Sequence, residues 1–435
     1  METDKIRVIK YKYESRRHSD HLIDHVFKYI STVTSLLFIP DSSEPAIYLD
    51  DGHSVSSSPG IVIKPDGVFC QKGSESGGRV RIIDYDPIDL LAQRLSIIAT
   101  LGPYASDTHS PGIDTPLISA VIRDFLDAVR ESGLAGEDQA AIDLWPGKAK
   151  FAVSLTHDID IIRRSVPGSV RLAFNRHLPG GFAALVDSIN SAAGITANPY
   201  DDIPRWIELE KEWGQSSTFF AFCGERSHKF DPVYKLSKLE RQIEMIKRKG
   251  FELALHTGVE SYRGNGISLS KRQMENISGM EIRGIRPHYL SASFPEYWQA
   301  ARDASFAYSS SLGYDNRIGH FAGVDLPIIP FDKRNDKAID IVEFPIAMMD
   351  CGLIGNDRAD SVDADKRGVE LIESASRSGG LIVMDWHQRT FYNRDYPGWV
   401  SLFVRMAELA RERGACFVRL DEMAGRVMGR FRNRS

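Results

Sequence analysis

From residue 150 onward, short apolar runs alternate with amphipathic stretches. The apolar runs fall at 151–156, 217–222, 251–256, 284–289, 307–310, 341–346, 381–386 and 416–420. Helical patterns lie between them, at 204–213, 232–249, 269–280, 295–303, 362–377 and 396–413. Continuous apolar strands joined by helical crossovers imply a parallel sheet covered on both faces. Seven or eight such units over about 270 residues suit a closed or distorted β/α barrel better than an open sheet. Two long interruptions, 161–203 and 316–338, read as insertions that cap or line a site.

Before residue 150 the elements are shorter and mixed. Helical patterns appear at 20–37, 87–100 and 115–132, strand-like runs at 46–49 and 60–63, and polar loops at 50–59 and 71–78. Residues 1–145 therefore read as a small N-terminal α/β domain, and residues 150–425 as the barrel. His18, His21 and His25 have helical spacing, with Asp20 and Asp24 beside them. That resembles a metal patch, but dense charge near a terminus predicts a solvated helix start instead.

Composition narrows the class. The 435 residues include 54 basic and 59 acidic side chains, a net charge of −5, and 42% are hydrophobic. That is ample apolar material for a folded chain, without the basic excess of a nucleic-acid binder. Cys70, Cys223, Cys351 and Cys416 lie far apart, which argues against a disulfide framework or a cysteine-rich zinc site. The first residues lack the apolar run of a signal peptide, and no stretch has the length of a transmembrane segment, so the cytoplasm is the expected address. Absence of GxxxxGKS/T, of GxGxxG after a strand, of GxSxG and of HExxH disfavours phosphate-cradling and serine-hydrolase chemistry.

The candidate chemistry lies where the apolar runs end. The first runs into Thr156-His157-Asp158-Ile159-Asp160, the third ends at His256, the fourth carries Arg286-Pro287-His288, the sixth is followed by Asp350, and the seventh ends Asp385-Trp386-His387. In a β/α barrel these ends share the face that carries the active site. Five of the twelve histidines would then lie on or near that rim, counting His157 and, in a following loop, His320. Asp158 and Asp160 are two apart and project to one side of an extended strand. Two carboxylates meeting an imidazole suit Zn²⁺, Mn²⁺ or Fe²⁺, one carboxylate binding the ion and the other acting as base. Each residue also has a plainer duty: Asp158 and Asp160 as turn or helix caps, His256 and His387 as core histidines, Arg286 as a partner for Glu281.

The same strings resemble the polysaccharide deacetylases, the NodB-homology domain of carbohydrate esterase family 4, over residues 150 to 425. The points of likeness are Thr156-His157-Asp158-Ile159-Asp160, Thr218-Phe219-Phe220, Glu252 to His256, Gly284 to Tyr289, Phe306 to Tyr314 and Leu381 to His387. The resemblance implies a distorted (β/α)7-type NodB-like barrel that removes an N-acetyl or related acyl group from an amino sugar or glycan precursor. It implies Asp158 as general base, Arg286 as its partner, His387 as general acid, and Asp160 and His256 as ligands of a divalent metal. Zn²⁺ is the first expectation, with Mn²⁺, Fe²⁺, Co²⁺ or Ni²⁺ as alternatives.

The sequence departs from the family where a second histidine normally stands four residues after the first, for that position is Glu260. Glu260 or His288 then completes the metal shell, or metal binding is lost. Ser309 replaces the family's aspartate on the fifth strand. Tyr289, Tyr314, Trp386 and Tyr392 are available to stack on sugar faces or to pack in the core. Two other functions remain open: a barrel that binds a glycan or protein without catalysis, and a C–N hydrolase acting on a non-sugar amide.

Overall fold

The computed structural model describes residues 7–13, 18–41, 45–49, 61–64, 67–71, 79–83, 85–97, 117–136, 141–164, 181–354 and 361–433. The loops expected at 50–59 and beyond Gln71 lie outside these residues, as do 98–100 and 115–116 of two expected helices. Strands β1 (Arg7–Tyr13), β2 (Leu36–Pro40), β3 (Ile47–Leu49), β4 (Ile61–Lys64), β5 (Gly67–Gln71) and β6 (Arg79–Ile83) form a sheet ordered β2-β1-β3-β4-β5-β6. Its first four members run parallel and its last two antiparallel.

The helix Asp20–Val33 packs on this sheet. Ser19 caps it by accepting from the Leu22 N–H, and its apolar face (Ile23, Val26, Phe27, Ile30 and Val33) is fully buried. The start is solvated as expected, with Ser19, Asp20, His21 and Asp24 exposed, but the third histidine is not part of it. His25 is only 4% exposed, its Nε2 meets the Ile329 carbonyl at 2.9 Å, and its ring packs on Phe331 and Phe431. Burial lowers its pKa to about 4. His18 and His21 pair separately with Asp89 and Asp336. Local charge density suggested solvent, but the apolar stripe continuing to Val33 decided the burial.

The second sheet contains β7 (Phe151–Ile159), β8 (Thr218–Phe222), β9 (Glu252–Thr257), β10 (Gly284–Pro287), β11 (Tyr308–Ser309), β14 (Val342–Glu343), β15 (Ile346–Met349), β16 (Leu381–Asp385) and β17 (Ala415–Phe417). A small hairpin of β12 (Phe331–Asp332) and β13 (Lys337–Ala338) lies apart from it. The hydrogen-bond order is β14-β11-β10-β9-β8-β7-β16-β15, with β17 also beside β7, and every pairing is parallel. β14 and β15 stand at opposite ends of this order, yet only Phe344 and Pro345 separate them in sequence. The three Cα–Cα steps from Glu343 to Ile346 span roughly 11 Å at most, so the sheet must curl until its edges approach each other. The result is a distorted parallel β/α barrel. Helices Ile203–Glu212, Glu240–Arg248, Gly266–Ser278, Glu296–Asp303, Ser361–Ser378 and Trp399–Glu412 follow the strands in turn.

The 316–338 interruption lines the barrel mouth only at its start. It then runs to the opposite end and packs on the N-terminal elements. The Tyr29 hydroxyl donates to the Pro327 carbonyl, and Asp325 accepts from the Ser119 N–H and hydroxyl and from Ser378. The last helix, Leu420–Asn433, continues past the expected limit at 425 and buries Phe431 beside His25.

Candidate functional site

On β7 the two-residue alternation sorts the motif. Thr156 and Asp158 project inside the curl, and Asp160 follows at the strand end. His157 points outward, where its Nε2 meets Glu210 at 2.8 Å and its ring lies between Trp206 and Phe219. His320 bonds the carbonyl of Leu381 at the start of β16, the end of the barrel away from the motif. The rim therefore gathers three histidines, not five: His256, His288 and His387.

These three, with Asp158 and Asp160, line one cavity of about 310 Å³. A second cavity of about 450 Å³, bounded by Ile159, Ser191, Tyr200, Lys238 and Gln388, holds none of the five. Inside the curl, Arg286 is fully buried. Its Nη1 donates to Asp158 Oδ1 at 2.8 Å, to Asp385 Oδ1 at 2.7 Å and to Thr156 Oγ1 at 3.1 Å. Its Nη2 donates to Ser310 Oγ, and the guanidinium lies 4.0 Å from the Phe220 ring centre. One cation cannot hold two buried carboxylates equally ionised. Burial pushes Asp158 up, but Arg286 and His256 together bring its pKa below the usual range. Asp385 is pushed up to about 7 by burial and by Asp158, with Arg286 opposing.

Asp160 Oδ1 lies 3.3 Å from His256 Nε2 and 3.5 Å from His288 Nε2. The ligand atoms of the three residues all fall within 4.8 Å of one another. Three ligands about 2.1 Å from a tetrahedral ion stand about 3.4 Å apart, so the spacing fits a cation at their centre. Asp160 Oδ1 is buried with no hydrogen-bond partner, as expected of an oxygen reserved for an ion. Behind this set, His256 Nδ1 donates to the Arg286 carbonyl at 3.2 Å, which leaves Nε2 facing Asp160. His288 Nδ1 faces Asp231 at 3.9 Å, and backbone N–H groups of Ser227, His228 and Val259 pin that carboxylate. Tyr289 and Leu290 take the left-handed backbone, at φ 57° and 49°. Such conformations are costly for these residue types and concentrate at functional sites.

Across the cavity, His387 Nε2 lies 3.0 Å from Asp160 Oδ2, while Asp350 accepts from both its backbone N–H and its Nδ1, at 2.9 and 2.8 Å. Burial alone would lower its pKa, but Asp350 and Asp160 outweigh that and hold it well above the ordinary histidine value.

Glu260 is not in the cavity. Its carboxylate is exposed and lies 3.9 Å from Arg263, and its backbone N–H donates to Ser227. After Thr257 the chain turns, so a side chain four residues beyond His256 faces outward. His288 arrives from the neighbouring strand, whose Arg286 registers with His256. Ser309 bonds Ser311 away from the cavity. Of the four aromatics, Trp386 and Tyr314 are buried, Tyr392 donates to Asp187, and Tyr289 stands at the cavity wall, 49% exposed. Sequence reasoning placed Asp350 and Asp385 at strand ends without duties, and it missed Asp231 and Arg389 altogether. Adjacency of Asp385 and Arg389 to His387 was the available signal; for Asp231 there was none.

No family model and no curated protein matches the chain. Among solved structures, the fold matches polysaccharide deacetylases and other members of carbohydrate esterase family 4, including pseudoenzymes. A protein of Mycobacterium smegmatis assigned as a polysaccharide deacetylase aligns at 18% identity and TM-score 0.44, over 66% of this chain and 92% of that one. The catalytic domain of a peptidoglycan N-acetylglucosamine deacetylase from Eubacterium rectale aligns at 10% identity and TM-score 0.33, over 64% and 91%. A family 4 pseudoenzyme of Bacillus anthracis aligns at 13% identity and TM-score 0.34, over 64% and 66%. No helix among the described residues is long and apolar enough to cross a membrane.

Proposed function

We propose that this protein is a metal-dependent hydrolase that removes an acyl group, acetyl first, from the nitrogen of an amino sugar or glycan precursor. The observation that carries the reading is the meeting of Asp160, His256 and His288 in one cavity with Asp158 and His387. Asp160, His256 and His288 would hold a divalent cation, Zn²⁺ being the best fit to one carboxylate and two imidazoles, with Mn²⁺, Fe²⁺, Co²⁺ or Ni²⁺ as alternatives. Such an ion polarises an acyl carbonyl and acidifies water.

The chain's own groups supply the proton transfers. Arg286 occupies Asp158 Oδ1 and favours its ionised form, so Oδ2 is the oxygen left to take a proton from the attacking water. Asp350 fixes the His387 ring through Nδ1 and directs Nε2 into the cavity. As the carbon–nitrogen bond breaks, Nε2 gives its proton to the leaving amine, which departs neutral. One water is consumed, and a carboxylic acid and an amine are released.

Metal analysis together with acetate release from N-acetylated amino sugars tests this reading. Wild type should carry about one cation per chain and release acetate. His288→Ala should lose the cation and the activity, and Glu260→Ala should keep both. Acetate release by cation-free protein, or dependence on Glu260 in place of His288, would remove the assignment.

A further inference from the structure

Two residues beyond His387, Arg389 stands in the wall of the same cavity with its side chain only 16% exposed. Its Nε donates to the Tyr396 hydroxyl at 2.8 Å, and its Nη1 comes no closer than 3.5 Å to Asp160 Oδ2. Among the described residues its Nη2 has no hydrogen-bond partner. The groups that act on it most are Tyr396, then Asp160 and Asp350, and the two carboxylates are engaged elsewhere. Asp350 is bound twice by His387, and Asp160 faces all three histidines.

A nearly buried guanidinium whose carboxylate contact is the long 3.5 Å approach to Asp160 keeps donors in reserve for a ligand. Its planar fork suits a pair of anionic oxygens on one group. The cavity is at the small end for ligand sites, so an anion that reaches Arg389 belongs to the same sugar residue whose acylamino group meets Asp158 and His387. Asp315 also lines the cavity, which confines a negative group to the Arg389 side.

We propose that Arg389 recognises an anionic substituent, a carboxylate or a phosphate, carried by the amino sugar itself. The acidic substrate class rests on the deacylase reading of the site, whereas the anion subsite stands on geometry.

The test uses N-acetylglucosamine, its uronate and its 6-phosphate as probes, with wild type, Arg389→Gln and Arg389→Lys. Binding is measured calorimetrically with the Asp158→Asn change added to stop turnover, and acetate release is measured without that change. An anionic probe should be favoured over the neutral sugar by roughly ten- to hundredfold, mainly in KM. Arg389→Gln should bring that ratio close to one, and Arg389→Lys should retain part of it. The uronate and phosphate arms show which anion is read. Equal binding of neutral and charged probes, no binding of either anion, or an equal loss for all probes in Arg389→Gln would overturn the proposal; the last result is what a merely structural arginine gives. Anion-selective binding that Arg389→Gln abolishes, without acetate release by wild type, would keep the anion subsite and remove the deacylase reading.

Discussion

Replacing Asp158 by asparagine separates chemistry from architecture unusually well at this site. Losing one partner of a buried ion pair ordinarily costs about 3–5 kcal/mol. Here an asparagine Oδ1 can keep the 2.8 Å bond from Arg286, and Asp385 remains 2.7 Å from the same guanidinium. Asp385 is raised to about 7 partly by the Asp158 charge. Once that charge is gone, Asp385 ionises more readily and takes over the arginine. The variant should therefore fold with a loss well below that range. Catalysis has no such substitute, because Asp158 Oδ2 stands 3.7 Å from His256 Nε2, beside the Asp160–His256–His288 set, whereas Asp385 does not line the cavity. Removing a general base lowers rates by about 10²–10⁴-fold, or about 3–5 kcal/mol of barrier at 1.36 kcal/mol per tenfold. The assay is acetate release at pH 7 alongside cation content and melting temperature. A variant that retains more than a tenth of wild-type kcat with its cation in place refutes Asp158 as the base. A fall in rate that merely tracks loss of cation or of folded protein refutes it equally.

Asp350→Asn should lower kcat at least tenfold with cation content unchanged, because the group that orients and charges His387 is weakened; unaltered turnover would show that His387 needs no anchor. A second expectation concerns stability. Glu252 is buried beneath β8 and β11, accepts from Thr218 and Tyr308 at 2.6 and 2.9 Å, and is pushed up to about 8, chiefly by burial and then by Asp421. A raised carboxyl pKa means that the folded state holds a proton the unfolded state has released. The stabilisation is complete below about pH 4.5 and is lost as pH rises toward 8, at about 1.4 kcal/mol per unit. Glu252→Gln is nearly isosteric and does not titrate. Its stability relative to wild type, from urea unfolding, should climb between pH 5 and 8 and level off above; parallel curves would show that Glu252 is ionised in the fold.

The long strands were legible because parallel strands buried on both faces read as unbroken apolar runs. β7, β8, β9 and β16 fall where the pattern placed them. One run at 341–346 proved to be parts of two strands, β14 and β15, at opposite edges of the sheet, because the turn at Phe344–Pro345 is itself apolar and leaves no polar break. β1, β2, β5 and β6 were missed: β1 carries alternating Lys10 and Lys12, the helix expected at 20–37 overran the start of β2, and β5 and β6 are short strands flanking the polar stretch at 71–78. In the site, Asp158, Asp160, His256, Arg286 and His387 were readable from their strand-end positions. Choosing between Glu260 and His288 was not possible from spacing, because it depends on where the chain turns after Thr257 and on the register of β10 beside β9. The pairing of Asp350 with His387 is likewise a fact of three dimensions, since 37 residues separate them.

The position of β7 has a consequence for biosynthesis. Its partner on one side, β16, supplies contacts as distant as Thr156 with Met384, 228 residues away, and β17 follows later still. While a ribosome is still making the intervening helices, β7 presents one unpaired apolar edge, and Asp158 has neither Asp385 nor His387 near it. Folding dominated by such distant pairings is slow and exposes sticky intermediates. A chain interrupted before residue 381 would carry the cavity's lining except for His387 and Arg389, with one edge of β7 still open, so the site closes only once β16 and the turn after it have been made.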